Sequence, residues 1–189
     1  MECDRSCRPH RPCGVRGCPY MGDVQVGVDN RACGDLGIDV TDNDIIRGSG
    51  RVRMGVGNDT GRDNYARIYE NRVLDADVNV DMGVGNTAGC DSRMEVYRNT
   101  VTGGRRGTNV RVGAANDARR DNDMRVFCNN VEGAEDDVDI GVGNTAGRDN
   151  FMDVDNNDIR GARGGVRMGV GNQAGRDNKA RVSGNIVRR

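Results

Sequence analysis

An aspartate recurs once in every repeat of this chain, and its type and spacing suggest chemistry more strongly than any other residue does. The column comprises Asp35, Asp63, Asp91, Asp121, Asp149 and Asp177. Stacked carboxylates repel one another unless something neutralises them, and their oxygens are ligands that suit Ca²⁺. Three interpretations stay open: capping of backbone N–H groups in a turn, Ca²⁺ along the column, and neutralisation by neighbouring arginines. No other cofactor is expected.

The usual side-chain sets of an enzyme are not recognisable in the repeats. His10 is the only histidine and precedes them, so a Ser-His-Asp or Cys-His arrangement within the repeats is excluded. Gly55-Val56-Gly57 does not match a dinucleotide-binding fingerprint, because the spacing differs and the glycines recur in every repeat. An active site interrupts a repeat, and these repeats are almost uninterrupted. We therefore expect no catalytic residue and no enzymatic activity.

Seven cysteines form the second group of reactive side chains: Cys3, Cys7, Cys13, Cys18, Cys33, Cys90 and Cys128. The first four share residues 1–23 with three prolines, and we interpret this segment as a Cys/Pro-rich connector. An odd number leaves at least one thiol free or paired with another chain. Zinc is the alternative for the first four, although their spacing lacks a Cys-x-x-Cys pair. We interpret all seven as candidates for disulfides between subunits.

A repeat of about 28 residues, present six times in residues 24–189, positions these side chains. The segment from Val52 to Asn58 returns from residues 80, 110, 138 and 166, with a degenerate copy from residue 24, and the third repeat has two extra residues. Alternating apolar and polar residues indicate β-strands, with a turn over residues 59–64 before the second strand. In that second strand the alternation predicts inward side chains at Met94, Val96, Met124 and Val126. We predict an all-β solenoid of six coils with three short strands per coil. Nine-residue β-rolls and propeller blades of roughly 40 residues do not fit this period.

One asparagine motif, Asn-x-Ile/Val, occurs once per coil, at Asn43, Asn71, Asn99, Asn129, Asn157 and Asn185. With the strands that flank it, this motif resembles the right-handed parallel β-helices of the pectate-lyase type. The resemblance covers residues 24–189 and brings no enzyme motif with it. It implies a right-handed parallel β-helix in which these asparagines stack between the second and third strands. A second asparagine column flanks the same turn as the aspartates: Asn30, Asn58, Asn86, Asn116, Asn144 and Asn172.

Two outward columns alternate in charge along the coils. In the first strand the residues are Gln25, Arg53, Asp81, Arg111, Asp139 and Arg167; in the second they are Asp39, Arg67, Glu95, Arg125, Asp153 and Arg181. Opposite charges on neighbouring strands stabilise the register. If coil six stacked on coil one of a second copy, Arg181 would meet Asp39 and Arg167 would meet Gln25. We expect no cap after the last strand, and hence a head-to-tail contact that does not close.

These patterns predict a structural protein that forms a disulfide-stabilised extracellular filament, with itself as partner. A net charge of −1 disfavours nucleic acid, and no segment is long and apolar enough to insert into a membrane. The sequence begins without the apolar segment of a signal peptide, so we expect a location outside the cell or on a spore or cell surface without a conventional signal. The cysteine-rich connector is similar in design to bacterial endospore-appendage subunits.

The alternative is a carbohydrate-binding or polysaccharide-cleaving β-helix, for which Tyr69, Tyr97 and Phe127 could form a sugar-binding strip.

Overall fold

The computed structural model describes residues 23–46, 50–103 and 108–188, and in these residues the chain is an all-β parallel solenoid. We number its coils by the repeat: coil 1 begins at Val24, coil 2 at Val52, coil 3 at Val80, coil 4 at Val110, coil 5 at Val138 and coil 6 at Val166. Each described strand pairs in parallel with the equivalent strands of the coils before and after it. The expected six-coil solenoid is confirmed.

Four six-stranded sheets run along the solenoid, and each coil contributes one strand to each sheet. The first sheet contains β1 (Val24–Val26), β5 (Val52–Met54), β9 (Val80–Met82), β13 (Val110–Val112), β17 (Val138–Ile140) and β21 (Val166–Met168). The second sheet contains β2 (Arg31–Ala32), β6 (Asp59–Thr60), β10 (Thr87–Ala88), β14 (Asp117–Ala118), β18 (Thr145–Ala146) and β22 (Gln173–Ala174).

The third and fourth sheets come from the second half of each coil. The third sheet has the longest strands: β3 (Leu36–Thr41), β7 (Asn64–Tyr69), β11 (Ser92–Tyr97), β15 (Asn122–Phe127), β19 (Asp149–Asp155) and β23 (Asp177–Ser183). The fourth sheet contains β4 (Asp44–Ile46), β8 (Arg72–Ala76), β12 (Thr100–Gly103), β16 (Asn130–Glu132), β20 (Asp158–Arg160) and β24 (Ile186–Arg188).

The number of strands per coil differs from the sequence prediction, which was three. The segment from residue 59 to residue 64 was predicted as a turn, yet Asp59 and Thr60 form a strand of the second sheet. The Asp59 N–H donates to Asn30 O at 2.9 Å, and the Gly61 N–H donates to Ala32 O at 2.8 Å. Because each coil stacks on the next, backbone hydrogen bonds also form across this bend. A strand of two residues is too short to be recognised in the sequence from alternating apolar and polar residues.

A thin apolar core fills the solenoid, and it consists of the side chains that alternate inward. Met94, Val96, Met124 and Val126 of the third sheet are all 0 % exposed, as the alternation predicted. Met54, Met82 and Ile140 of the first sheet pack into the same cluster. This core holds the coils in register. Equivalent outward side chains therefore form columns in which neighbouring coils are about 4.8 Å apart.

Candidate site: the side-chain ladders and the two end coils

Two asparagine ladders run the length of the solenoid at its corners. In the ladder of Asn43 to Asn185, the Asn99 Nδ2 donates to Asn129 Oδ1 at 3.0 Å and to Ile68 O at 2.9 Å. The backbone N–H of Asn99 donates to the same Oδ1 at 3.1 Å. The ladder of Asn30 to Asn172 repeats this pattern, with Asn58 Nδ2 at 2.8 Å from Asn86 Oδ1. These are the stacked asparagines that the β-helix resemblance implied, and both columns form them.

A third ladder of buried polar side chains was missed by the sequence analysis. It runs along the start of the third-sheet strands at Asn64, Ser92, Asn122 and Asn150, and it continues in register to the exposed Asn178 on coil 6 and the apolar Leu36 on coil 1. Asn122 Nδ2 donates to Asn150 Oδ1 and Asn150 Nδ2 to Asn178 Oδ1, both at 3.1 Å. Ser92 interrupts this ladder, and the Asn64 amide, the Ser92 hydroxyl and Asn122 Oδ1 are buried without a partner. The recurring Asp-Asn pair was the available sequence signal.

The two charged columns alternate in register, and three of their arginines, Arg67, Arg111 and Arg167, form bidentate pairs with the carboxylate of the preceding coil. Asp39 and Arg67 form a bidentate pair with distances of 2.8 and 2.7 Å. The pairs Asp81–Arg111 and Asp139–Arg167 have the same geometry, at 2.7 and 3.0 Å and at 2.6 and 2.7 Å. In each pair the carboxylate belongs to an odd coil and the guanidinium to the next even coil. Within these two columns, the bidentate pairs therefore join coils 1 and 2, coils 3 and 4, and coils 5 and 6.

The four side chains predicted to stack between subunits lie on the two end coils. Gln25 and Asp39 point outward from coil 1, and Arg167 and Arg181 point outward from coil 6. Asp39 is already paired with Arg67, and this hydrogen bond lowers the pKa of the Asp39 carboxyl. The Arg181 guanidinium forms no ion pair with any residue of the described ranges. Of the three charged side chains among the four, Arg181 is thus the one that is not already paired with a described side chain.

The aspartate column uses its carboxylates to bond the backbone of the next coil. Asp63 Oδ1 accepts the Asp91 N–H at 3.2 Å, and Asp91 Oδ1 accepts the Asp121 N–H at 3.3 Å. Arg148 lies 2.7 Å from Asp121 Oδ2, and Arg120 lies 3.6 Å from Asp91 Oδ1. Backbone capping and arginine neutralisation therefore both occur, and the capped group belongs to the following coil instead of the same turn.

Two open grooves follow the outer surface of the solenoid. One, of about 720 Å³, crosses the second sheet and is lined by Arg31, Asp59, Thr87, Asp117 and Arg119 among others. The other, of about 440 Å³, is lined by carboxylates of the aspartate column together with Phe151 and Lys179. In residues 23–46, 50–103 and 108–188, no group of three or more His, Cys, Asp or Glu side chains is arranged to hold a metal ion. Calcium along the aspartates stays a prediction.

The aromatic column is a stack of rings. The centroids of Tyr69 and Tyr97 are 5.0 Å apart, and those of Tyr97 and Phe127 are 4.9 Å apart, with interplanar angles of 2° in both pairs. Burial between its neighbours raises the pKa of the Tyr97 phenol. Because the ring faces cover one another, the Tyr97 faces are closed to the pyranose stacking that a sugar-binding strip requires.

Three of the seven candidate disulfide cysteines lie in the described residues, and all three are free thiols. Cys33 and Cys128 are exposed, and Cys90 is half-buried. Cys3, Cys7, Cys13 and Cys18, and with them nearly all of the predicted connector, lie outside the described residues. Disulfides between subunits therefore stay a prediction, with Cys33 and Cys128 as accessible positions on the solenoid.

The end coils expose side chains that are buried in every middle coil. Val182 and Val187 of coil 6 are 48 % and 46 % exposed. Their register partners on coil 5, Val154 and Ile159, are 0 % exposed. At the other end, Val24 and Val26 are half-buried against the core. Among the described residues, neither end coil is therefore covered on its outer side by a further coil, as every middle coil is.

The fold and these columns define the chain as a parallel β-solenoid whose surface consists of side-chain ladders. Comparison with protein families, with curated proteins and with solved structures finds no match to this chain. Among the described residues, no helix is long and apolar enough to cross a membrane. Its function therefore has to be argued from the geometry of the ladders and the end coils.

Proposed function

We propose that this protein is a structural subunit that assembles head to tail into a filament, with coil 6 of one copy stacked on coil 1 of the next. The observation that carries the proposal is the exposure of Val182 and Val187, whose equivalents one coil earlier are fully buried. Stacking a further coil would remove this apolar surface from water, which is the dominant favourable term in association. The contact is heterologous and does not close, so it generates a filament.

The charge columns support this junction. In the chain, coil 2 meets coil 3 with Arg67 opposite Glu95, and coil 4 meets coil 5 with Arg125 opposite Asp153. A coil 6 to coil 1 junction places Arg181 opposite Asp39 and continues the same order. Asp39 keeps its bidentate partner Arg67, so Arg181 adds a register-setting attraction and not a new bidentate pair. The junction would thus repeat a register of opposite charges that the fold already contains twice.

Disulfides would then make the filament durable, as part of the same proposal. Cys33 and Cys128 are exposed free thiols, and the sequence holds four further cysteines in residues 1–23. Disulfides persist in oxidising surroundings, which fits a filament outside the cell or on a spore or cell surface. We also propose that the protein has no enzymatic activity, since its carboxylates and arginines are spread evenly over the coils and many of them pair with each other along the columns. The stacked rings argue against the carbohydrate-binding alternative.

Negative-stain microscopy of the purified protein, with and without reductant, tests the assembly directly. We expect filaments of uniform width in oxidising buffer, and shorter or fewer ones after reduction. A protein that stays strictly monomeric in oxidising buffer would contradict the proposal.

Charge reversal at position 181 tests the junction itself. Arg181→Glu places a carboxylate opposite Asp39 of the next copy, and at low salt we expect the concentration needed for assembly to rise about tenfold. Arg125→Glu is the matched control, because it makes the same reversal in the same column, between Glu95 and Asp153 in the middle of the chain. Light scattering against concentration measures both variants. An equal effect of the two substitutions would show that position 181 acts through the fold and not through a junction.

A further inference from the structure

The two complete asparagine ladders have a direction. At every rung between described coils, the backbone N–H and the Nδ2 of one asparagine donate to the Oδ1 of the asparagine in the following coil. Asn58 donates to Asn86 at 2.9 and 2.8 Å, and Asn129 donates to Asn157 at 3.0 and 2.9 Å. The second Nδ2 hydrogen donates backwards, as from Asn86 to Gly55 O at 2.9 Å. From one asparagine to the next, donation therefore always runs towards the coil that follows, and each Oδ1 faces the coil before it.

This direction makes the two ends of the solenoid chemically different. On coil 1, Asn30 and Asn43 donate to coil 2, and no described residue donates to either Oδ1. On coil 6, Asn172 and Asn185 use one Nδ2 hydrogen on Gly141 O and Val154 O. The backbone N–H groups of both asparagines and the second Nδ2 hydrogen of Asn185 have no acceptor among the described residues, whereas Asn172 Nδ2 also lies 3.5 Å from the weak acceptor Met152 Sδ. Coil 1 thus presents acceptors, and coil 6 presents donors.

Only one way of joining two copies satisfies both ends. Coil 6 against coil 1 brings donors of Asn172 and Asn185 to acceptors of Asn30 and Asn43 in the geometry of every internal rung. Coil 6 against coil 6 sets donors against donors, and coil 1 against coil 1 sets acceptors against acceptors. A buried donor or acceptor without a partner costs about 1–3 kcal/mol, so both symmetric contacts are penalised at two ladders at once.

Another outward column indicates which residue of the next copy the only lysine of the chain would face at the junction. The outward residues Tyr65, Arg93, Asp123 and Phe151 are in register, and the column runs from Gly37 on coil 1 to Lys179 on coil 6. A Cβ placed on Gly37 would meet nothing within 4 Å, so the surface there is open. Asp35 and Asp39 flank Gly37 and are both exposed.

From these observations we infer that the filament is polar, with every subunit in the same orientation, and that Lys179 lies over Gly37 of the next copy beside its Asp35 and Asp39. This inference rests on the proposed head-to-tail assembly. It adds the hydrogen bonds that favour this orientation and one specific contact between copies. The lysine stem covers a position without a side chain, and its ammonium reaches a carboxylate on either side.

Zero-length cross-linking with a carbodiimide tests this contact, because it joins an amine directly to a carboxylate. The sequence contains a single lysine, so every lysine cross-link reports position 179. Within one chain Lys179 and Asp39 are five coils apart, about 24 Å at the usual strand spacing, which is too far for a direct amide. Filaments grown from an equal mixture of ¹⁴N and ¹⁵N protein are cross-linked, digested and analysed by mass spectrometry. We expect mixed-isotope peptides that join Lys179 to Asp35 or Asp39.

Lys179→Arg is the matched control, since it keeps the positive charge and removes the reactive amine. It should form filaments like the unchanged protein and lose the cross-link. Filaments in which Lys179 joins carboxylates of coil 6 in mixed-isotope peptides would overturn the inferred polarity, and so would filaments without a cross-link to coil 1. Both results would leave assembly intact. Particles no larger than a monomer under oxidising conditions would instead reject the assembly, and the contact with it.

Discussion

The interruption of the third ladder at Ser92 allows the contribution of one buried asparagine to be measured. Ser92 is 2 % exposed and lies between Asn64 and Asn122 in the register of the third sheet. Its side chain is too short to bond either neighbour. Asn64 Nδ2, Asn64 Oδ1, Ser92 Oγ and Asn122 Oδ1 are consequently buried without a hydrogen-bond partner. We predict that Ser92→Asn completes the ladder and raises the free energy of unfolding.

The expected gain follows from the bonds that the neighbouring coils make. With asparagine at position 92, Asn64 Nδ2 can donate to the new Oδ1, and the new Nδ2 can donate to Asn122 Oδ1. Both would resemble the 3.1 Å bond from Asn122 to Asn150. Two buried hydrogen bonds of about 0.5–1.5 kcal/mol each give roughly 1–3 kcal/mol. Asparagine fits this column in the coils before and after, so little overpacking is expected. Asn64 Oδ1 stays without a donor, because Leu36 precedes it.

Thermal unfolding followed by circular dichroism measures this gain, at a protein concentration low enough to keep the chain unassembled and with reductant present. A gain of about 2 kcal/mol should raise the melting temperature by roughly 4–8 °C in a chain of this length. Urea unfolding gives the free energy independently, and an unchanged slope would show that the folded state has the same compactness.

Two control variants separate the ladder from other effects of the position. Asn122→Ser removes the bond to Asn150 Oδ1 and lengthens the interruption, so it should lower the free energy of unfolding by about 1–3 kcal/mol. Ser92→Ala removes one unpaired hydroxyl and leaves both asparagines unchanged, so it should alter stability by less than about 1 kcal/mol. A Ser92→Asn protein that melts at or below the temperature of the unchanged chain would refute the reasoning.

Two further predictions concern the corner after the first strand and the charged column. Gly113 has a φ of 59°, and a Cβ added to it would lie 2.8 Å from Met124 Sδ, so Gly113→Ala should cost about 2 kcal/mol or more. Ala115 also has a positive φ, of 54°, so Ala115→Gly should stabilise the fold by roughly 0.5 kcal/mol. Urea unfolding measures the free energy of unfolding of both variants. The Arg67 hydrogen bond lowers the pKa of Asp39, so its stabilising effect is present above the pKa of the unfolded chain and disappears as the pH falls through the lowered value. NMR titration should show the Asp39 midpoint below 3.8 and an upward shift in Arg67→Gln; equal midpoints would contradict the pairing.

The number of coils and the inward side chains could be predicted because the core is periodic. Each coil repeats the same inward positions, so one reading of the alternation identified Met94, Val96, Met124 and Val126 as core residues. The second sheet could not be predicted in this way, because a two-residue strand leaves no alternation. Its hydrogen bonds arise from the stacking of equivalent bends, which is a tertiary effect.

The direction of the ladders was also beyond the sequence. A column of alternating charge is symmetric on paper, and it does not say whether Arg67 pairs with Asp39 below it or with Glu95 above it. In the structure Arg67 pairs with Asp39, and Glu95 pairs instead with Arg93 of its own strand. The asparagine columns are likewise identical from rung to rung in sequence, and only the stacked geometry shows that each asparagine donates to the Oδ1 of the asparagine in the following coil.

These two directional features agree on the kind of assembly that the solenoid favours. The bidentate pairs join coils 1 and 2, 3 and 4, and 5 and 6, so coil 6 meets a further coil in the way that coils 2 and 4 do. The asparagine ladders require that this further coil present acceptors, and coil 1 does so at Asn30 and Asn43. Parity and polarity are independent properties of the chain, since one depends on charge and the other on amide orientation. A second copy in head-to-tail orientation satisfies both, which is why the filament proposal does not depend on any single residue pair.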